Sequence, residues 1–383
     1  MPKRVIAHSP FLFALVALAA VSPTQAQLPH APAPTQSSQP QQNSPAPPSG
    51  QQPAGQASSG QSPSGQTKDQ SAGQQGEDQQ QPVETLKVGV NVVSVFFNVK
   101  DKHNTLVPNL TKEDFTMAED GKPQTIKYFT AESNLPLTLG IMIDASGSQR
   151  NVLEMEKEVG GAFLKQILTD KDEAYVISFD VDVDLVQDFT RDVRRLQAAL
   201  NKVKLNTGFV TGPIPGAGGG PVPTQANAGT LLYDAVYLSS HDMLAKEVGR
   251  KAMVLLTDGE DEGSKLKIQD AIEAAQKADA IVYVLLCADR GFYGSQGAFY
   301  SGEGEMRKLT EQTGGRVINV GNKFDKLREA FDQIGLELRS QYNIGYTPTN
   351  PKQDGGYRKL EIKNKQGNKI QARAGYYASK SQN

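Results

Sequence analysis

Ile141-Met142-Ile143-Asp144-Ala145-Ser146-Gly147-Ser148 decides how this chain is read. An apolar run ends on an aspartate, and two serines follow at alternate positions. One carboxylate and two hydroxyls therefore share a loop, a set of hard oxygen ligands suited to a divalent cation. Gly229-Thr230-Leu231-Leu232-Tyr233-Asp234-Ala235 then puts a threonine at an expected helix start. Val254-Leu255-Leu256-Thr257-Asp258-Gly259 is a second apolar run ending on an aspartate.

Between residues 134 and 340 strand and helix patterns alternate. Strands are expected at 137–143, 174–179, 183–189, 252–256, 281–286 and 316–320. Helices are expected at 151–168, 193–203, 230–244, 265–277, 303–313 and 323–338. On the first helix Val152, Met155, Val159, Phe163 and Ile167 form an apolar stripe, which Gly160-Gly161 weakens. Such alternation predicts an α/β fold: a doubly wound, mostly parallel six-stranded sheet with helices on both faces. Parallel strands present their carboxyl ends at one edge, which is how Asp144, Thr230 and Asp258 can meet. The expected metal ligands are Asp144, Ser146, Ser148, Thr230 and Asp258, the last acting directly or through water. Mg2+ is the expected ion, with Mn2+ or Ca2+ as alternatives. Few direct carboxylates leave such an ion partly neutralised, with a position open to an outside carboxylate. Asp234 reads as support for helix or loop geometry, and Asp261 and Glu262 as a solvated turn.

The flanks read differently. Residues 1–26 have the form of a secretory signal peptide: Lys3 and Arg4, an apolar run over 11–21, and Thr24-Gln25-Ala26 as the cleavage site. Residues 27–82 are almost entirely Gln, Pro, Ser, Gly and Ala, too poor in bulky apolar groups to offset chain entropy, and are expected to be a disordered linker. Residues 83–133 resume strand periodicity at Val88, Val90, Val92, Val95, Phe97 and Val99. A second strand is expected from Leu106-Val107, and the turn Glu119-Asp120-Gly121-Lys122-Pro123 is flanked by strands at 115–118 and 125–129. Residues 341–378 offer three more strands, at 341–346, 357–362 and 369–374, before a short tail, 379–383. Neither group closes a core alone. They are expected to form one small β-sandwich around the α/β unit, against the alternative of two separate appendages.

Composition excludes several functions. A net charge of -2 over 383 residues gives no footprint for nucleic acid or anionic membrane. There are four histidines, of which only His103 and His241 lie beyond the linker, so a histidine-rich zinc site and histidine-based triads are not expected. The single cysteine, Cys287, closes an apolar run and reads as a small buried hydrophobe.

The three motifs together resemble the metal-ion-dependent adhesion site of the von Willebrand factor type A domain. Further residues resemble exported bacterial proteins related to that domain: Val99-Lys100-Asp101, Leu110-Thr111-Lys112-Glu113-Asp114-Phe115, Thr313-Gly314-Gly315-Arg316, Tyr342-Asn343-Ile344-Gly345-Tyr346 and Ala372-Arg373-Ala374-Gly375-Tyr376. The resemblance spans about residues 88–378. It implies the fold and suggests a non-enzymatic role in metal-dependent adhesion or envelope assembly, without a defined partner. The signal peptide points to a secreted or periplasmic site, and the open coordination position to an extracytoplasmic partner that presents an acidic residue. The Gly/Pro-rich stretch 208–228 departs from the family, whose connection there is shorter. Two alternatives stand: a passive envelope scaffold with a structural metal site, and a Mg2+-dependent phosphotransferase of the haloacid-dehalogenase type. The latter calls for an aspartate two residues after Asp144, where this chain has Ser146.

Overall fold

The computed structural model describes residues 92–132, 135–206, 209–212, 222–225, 229–287 and 302–380. The expected signal peptide, the linker, the strand positions Val88 and Val90, and most of the stretch 208–228 lie outside the described residues.

In chain order the strands before the α/β unit are β1 (Val93–Lys100), β2 (Phe115–Glu119), β3 (Lys122–Gln124) and β4 (Ile126–Glu132). Next come β5 (Leu137–Asp144), α1 (Leu153–Ile167), β6 (Glu173–Phe179), β7 (Val183–Thr190) and α2 (Val193–Lys202). A short hairpin, β8 (Phe209–Gly212) and β9 (Val222–Gln225), occupies part of the Gly/Pro-rich stretch. The unit continues with α3 (Leu232–Leu238), β10 (Arg250–Thr257), α4 (Ile268–Lys277) and β11 (Ala280–Leu286). It ends with α5 (Gly302–Thr313), β12 (Val317–Asn319) and α6 (Phe324–Arg339). The closing strands are β13 (Gln341–Tyr346), β14 (Tyr357–Asn364), β15 (Lys369–Ala372) and β16 (Gly375–Tyr377).

The central sheet runs β12-β11-β10-β5-β6-β7, parallel throughout except for β7 at the edge. This is the expected doubly wound fold. Every residue of β5 is buried, as a strand covered on both faces requires. Leu139, Ile141 and Ile143 enter one core with Val159 and Phe163 of α1 and Phe331 and Ile334 of α6. Met142 enters the other, with Leu232 and Val236 of α3, Ile272 of α4 and Leu309 of α5. Gly140 has no room for a side chain, since a Cβ there would lie 2.4 Å from the Tyr175 hydroxyl. That hydroxyl shares a 2.5 Å hydrogen bond with buried Ser239.

The helix expected over 230–244 is shorter. After α3 the chain widens into a π-type turn, Ser239–Met243, and then tightens over Leu244–Lys246. The wide turn carries Ser239 and Ser240 into the interior, where Ser240 donates to the Val236 carbonyl at 2.7 Å. Helical periodicity alone does not report such a register change.

Each sheet of the sandwich mixes strands from both ends of the α/β unit. One is β15-β1-β13-β4 and the other β16-β14-β2-β3. β13 lies between β1 and β4, antiparallel to both, so neither early strand touches the other. Val95, Phe97, Phe115, Met117, Tyr342 and Ile344 form the core. Glu119, 2% exposed, accepts hydrogen bonds from Tyr346 and Tyr376 at 2.5 and 2.9 Å, tying β2 to the last strands. The strand expected from Leu106-Val107 is absent: Leu106 makes one isolated bridge to Lys100. Its loop is held instead by the Tyr342 hydroxyl, which donates to the Val107 carbonyl at 2.8 Å. The strand that follows the Asp120-Gly121 turn is only three residues long, because the chain crosses to the other sheet at Thr125. A strand missed in the sequence, β16, completes the second sheet.

Candidate metal centre

Asp144 ends β5 and Thr257 ends β10, and the two strands are parallel neighbours in the middle of the sheet. The strand order reverses between them, which opens a crevice at the carboxyl edge. Asp144 is fully buried there. Its Oδ1 accepts from the Ser146 amide at 3.0 Å and its Oδ2 from the Thr257 hydroxyl at 2.7 Å. Ser146 opens a tight turn, Gly147–Asn151, and its hydroxyl lies 3.0 Å from that of Ser148. These three expected ligands are therefore adjacent.

Asp258, 2% exposed, follows Thr257, and its Oδ1 accepts from the Glu260 amide at 3.2 Å. Gly259 adopts φ +86° and accepts the close approach of α5. A Cβ on Gly302 would sit 2.6 Å from the Gly259 carbonyl. The turn after Asp258 is thus wedged in place by a helix.

Thr230, 7% exposed, is bound to the same turn through its backbone. Its amide donates to the Glu262 carbonyl at 2.8 Å, and the Glu262 amide returns the bond at 3.0 Å. Asp261 accepts from the Tyr233 amide at 3.0 Å and the Ser264 hydroxyl at 2.6 Å. Asp234 accepts from the amides of Lys265 and Leu266. Asp234 therefore supports loop geometry as expected, whereas Asp261, expected in a solvated turn, caps α3. Together they lock the Thr230 loop to the Asp258 loop.

Burial raises the Asp144 carboxyl above the usual carboxylate range, and the neighbouring Asp258 raises it further. Hydrogen bonds from Ser146 and Thr257 oppose this without overcoming it. A second buried acid lies behind. Glu156 of α1 is wholly unexposed, and the polar group that reaches its carboxyl is the buried Cys287 thiol rather than a cation. Burial pushes it up to about 8, with Asp144 and Asp258 adding to the effect. Cys287 is buried and unpaired, and burial lifts its thiol well above the ordinary value.

The donor set fits a hard divalent ion. Asp144, Ser146, Ser148, Thr230 and Asp258 offer only oxygen, and two buried carboxylates in mutual repulsion are the electrostatic condition that a cation relieves. Among the described residues no group of three or more His, Cys, Asp or Glu is arranged to hold a metal. A centre here would rest on two carboxylates supplemented by hydroxyls.

Sequence reading gave no role to Thr257 or Glu156 and read Asp261 as a solvated turn. Thr257 carried a signal, being a hydroxyl one residue before a strand-ending aspartate. Glu156 carried another, since it interrupts the apolar stripe between Val152 and Val159. The bonds of Asp261 depend on loop geometry that no local pattern encodes.

No protein-family model matches the chain, and no curated protein matches it by sequence. Solved structures do show likeness. BatB from Bacteroides thetaiotaomicron is 18% identical over 53% of this chain and 100% of its own, with a TM-score of 0.39. The von Willebrand factor domain of the type V pili tip protein Mfa5 from Porphyromonas gingivalis is 12% identical over 53% of this chain and 95% of its own, with a TM-score of 0.38. Proximal thread matrix protein 1 from the mussel byssus, with a zinc-occupied MIDAS motif, is 14% identical over 58% of this chain and 50% of its own, with a TM-score of 0.40. These are likenesses of fold, and what the centre does is argued from its own residues.

Proposed function

We propose that the protein is an exported interaction module that holds Mg2+ at the Asp144 centre and uses it to capture an acidic side chain of another protein. The observation that carries this is the state of Asp144. It is fully buried beside a second carboxylate, and it is held by an amide and a hydroxyl rather than by a cationic side chain. Two such acids are stable together when a cation is shared between them. A bound divalent ion supplies positive charge and a coordination position for an outside carboxylate. The chain's own residues fix the ligands: Thr257 orients Asp144, the Ser146 turn sets two hydroxyls side by side, and the Glu262 bridge positions Thr230.

Export rests on the charge and hydropathy pattern of residues 1–26, and a periplasmic or extracellular site follows from it. Among the described residues no helix is long and apolar enough to cross a membrane. The same reading divides the mature chain into a linker (27–82), a type A-like domain (134–340) and a sandwich built from 83–133 and 341–378. The phosphotransferase alternative gains nothing from the geometry, since Ser146 stands where that chemistry calls for a second aspartate and its hydroxyl is turned to Ser148.

Calorimetric titration of the purified protein with Mg2+ and Mn2+ tests the reading. Wild type should bind one ion. Asp144→Asn, which keeps an acceptor for Thr257, should lose at least about 3 kcal/mol of binding while its melting temperature in chelator stays unchanged or rises. Unchanged affinity in that variant would overturn the site. Thr230→Ala should weaken capture of an acidic partner more than it weakens metal binding, and a partner retained in excess chelator would show that another surface holds it.

A further inference from the structure

A cleft of about 710 Å3 lies between the loop that follows β1 and the last turns of α6, at the junction of the sandwich with the α/β unit. It falls within the roughly 300–1,000 Å3 range of small-molecule sites. Its walls are fixed. Asp101 accepts from the amides of His103 and Thr105 at 2.8 and 2.9 Å, and the Val107 amide donates to the Val99 carbonyl at 2.9 Å. Tyr342 holds the far end of the loop through Val107 and Leu110.

The lining combines positive charge with exposed apolar surface. Lys100, Arg316 and Arg339 line the cleft against one carboxylate, Glu337. Among the lining residues these three cations face a single carboxylate, and Arg339 also pairs with Asp172 outside the lining. Both guanidiniums are only partly used. Arg316 commits Nε to Glu337 and Nη2 to Glu337 and Gln333, all at 2.8 Å. Arg339 commits Nη2 to Asp172 and the Ile167 carbonyl. Among the described residues Nη1 of Arg316, and Nε and Nη1 of Arg339, have no acceptor, although each side chain is only about a quarter exposed, at 23% and 24%. Leu106 and Val107 form one wall. Opposite them on α6, Leu336 is 62% exposed, while Phe331, Ile334 and Leu338 of the same helix are buried.

We propose that this cleft binds a small organic acid: a carboxylate held by the unused guanidinium donors of Arg316 and Arg339, on an apolar body packed against Leu106, Val107 and Leu336. A planar guanidinium fork matches a carboxylate in geometry and charge. A cleft of mostly apolar wall with a few convergent polar groups is the usual form of such a site. The assignment is independent of the metal centre, which lies at the carboxyl edge of the sheet.

The test uses the full chain in excess chelator, so that the metal centre takes no part. The probes are 4-phenylbutyrate and its neutral amide, titrated while ligand NMR saturation transfer and protein thermal shift are followed. The acid should bind and the amide should bind about tenfold more weakly or not at all. Leu336→Asp adds a negative charge at an exposed position with no packing role, so it should reduce acid binding by about tenfold or more at unchanged melting temperature. Arg316→Gln should weaken the acid and leave any amide binding unchanged; should that variant unfold, Leu336→Asp still decides. Equal affinity for acid and amide, acid binding untouched by Leu336→Asp, or no binding of either probe would overturn the proposal.

Discussion

Buried acids are handled in two opposite ways in this molecule. Glu337, at the contact between sandwich and α6, is 3% exposed and pairs with Lys100 and Arg316, each at 2.8 Å. Burial alone would raise its carboxyl, but the two cations outweigh that and hold it below its ordinary value. At the carboxyl edge of the sheet, Asp144 and Glu156 are equally buried, and both are raised. The first arrangement neutralises its acid within the chain and fastens two parts together. The second leaves negative charge for something outside the chain to balance.

The largest effect should come from separating the strands that make the first region possible. Deleting everything after Ser340 removes β13 from between β1 and β4, and β14 from beside β2. The early strands should then lose all hydrogen-exchange protection while the α/β sheet keeps its own. Protected amides in β1 after the deletion would show that the two halves are separable.

Next in size, Glu337→Ala should destabilise the protein by about 3–5 kcal/mol in urea unfolding, because it leaves Lys100 and Arg316 without their acid. A loss below about 1 kcal/mol would mean that the contact is no more than a surface ion pair.

The smaller effect tests the other side of the comparison. Glu156 titrates at about 8 when folded, against 4.5 when free. Between these values the folded protein keeps a proton that the unfolded chain has lost. Its contribution to stability is therefore intact below pH 4.5 and declines as pH rises, by about 1.4 kcal/mol per pH unit, until pH 8. In chelator, Glu156→Gln should remove that part of the slope and be the more stable form at neutral pH. Asp144, raised in the same sense, keeps the remainder. A variant with the wild-type pH profile would place the titration elsewhere.

How much of this was legible depended on whether a residue's role is local. Parallel strands buried on both faces are continuous apolar runs, so β5, β10 and β11 could be read directly, and their ends located Asp144 and Asp258. The sandwich was harder. Leu106-Val107 has strand composition, yet the neighbouring position beside β1 is taken by β15, some 265 residues on, and the segment becomes a loop. β16 is three residues long, below what periodicity can resolve. Glu156 and Glu337 look alike as charges on amphipathic helices. What separates them is Lys100 and Arg316 in one case and two aspartates in the other, with Lys100 and Asp258 brought from distant segments.

The interleaving of the sandwich strands also sets a schedule. Ser94 and Asn343, hydrogen-bonded at 2.9 Å, are 249 residues apart. At about 5–20 residues per second of synthesis, β1 to β4 exist for roughly ten seconds or more before β13 is made. Through that interval β1 and β4 lack β13 and β2 lacks β14, so Val95, Phe97, Phe115 and Met117 are without a large part of their core. Contacts so distant in sequence also form slowly once available. The α/β unit, whose strands all precede β13 in the chain, can be complete by then and serve as the surface on which both ends assemble. Until β13 and β14 arrive, the open edges of the early strands must be kept from pairing with one another and with other chains.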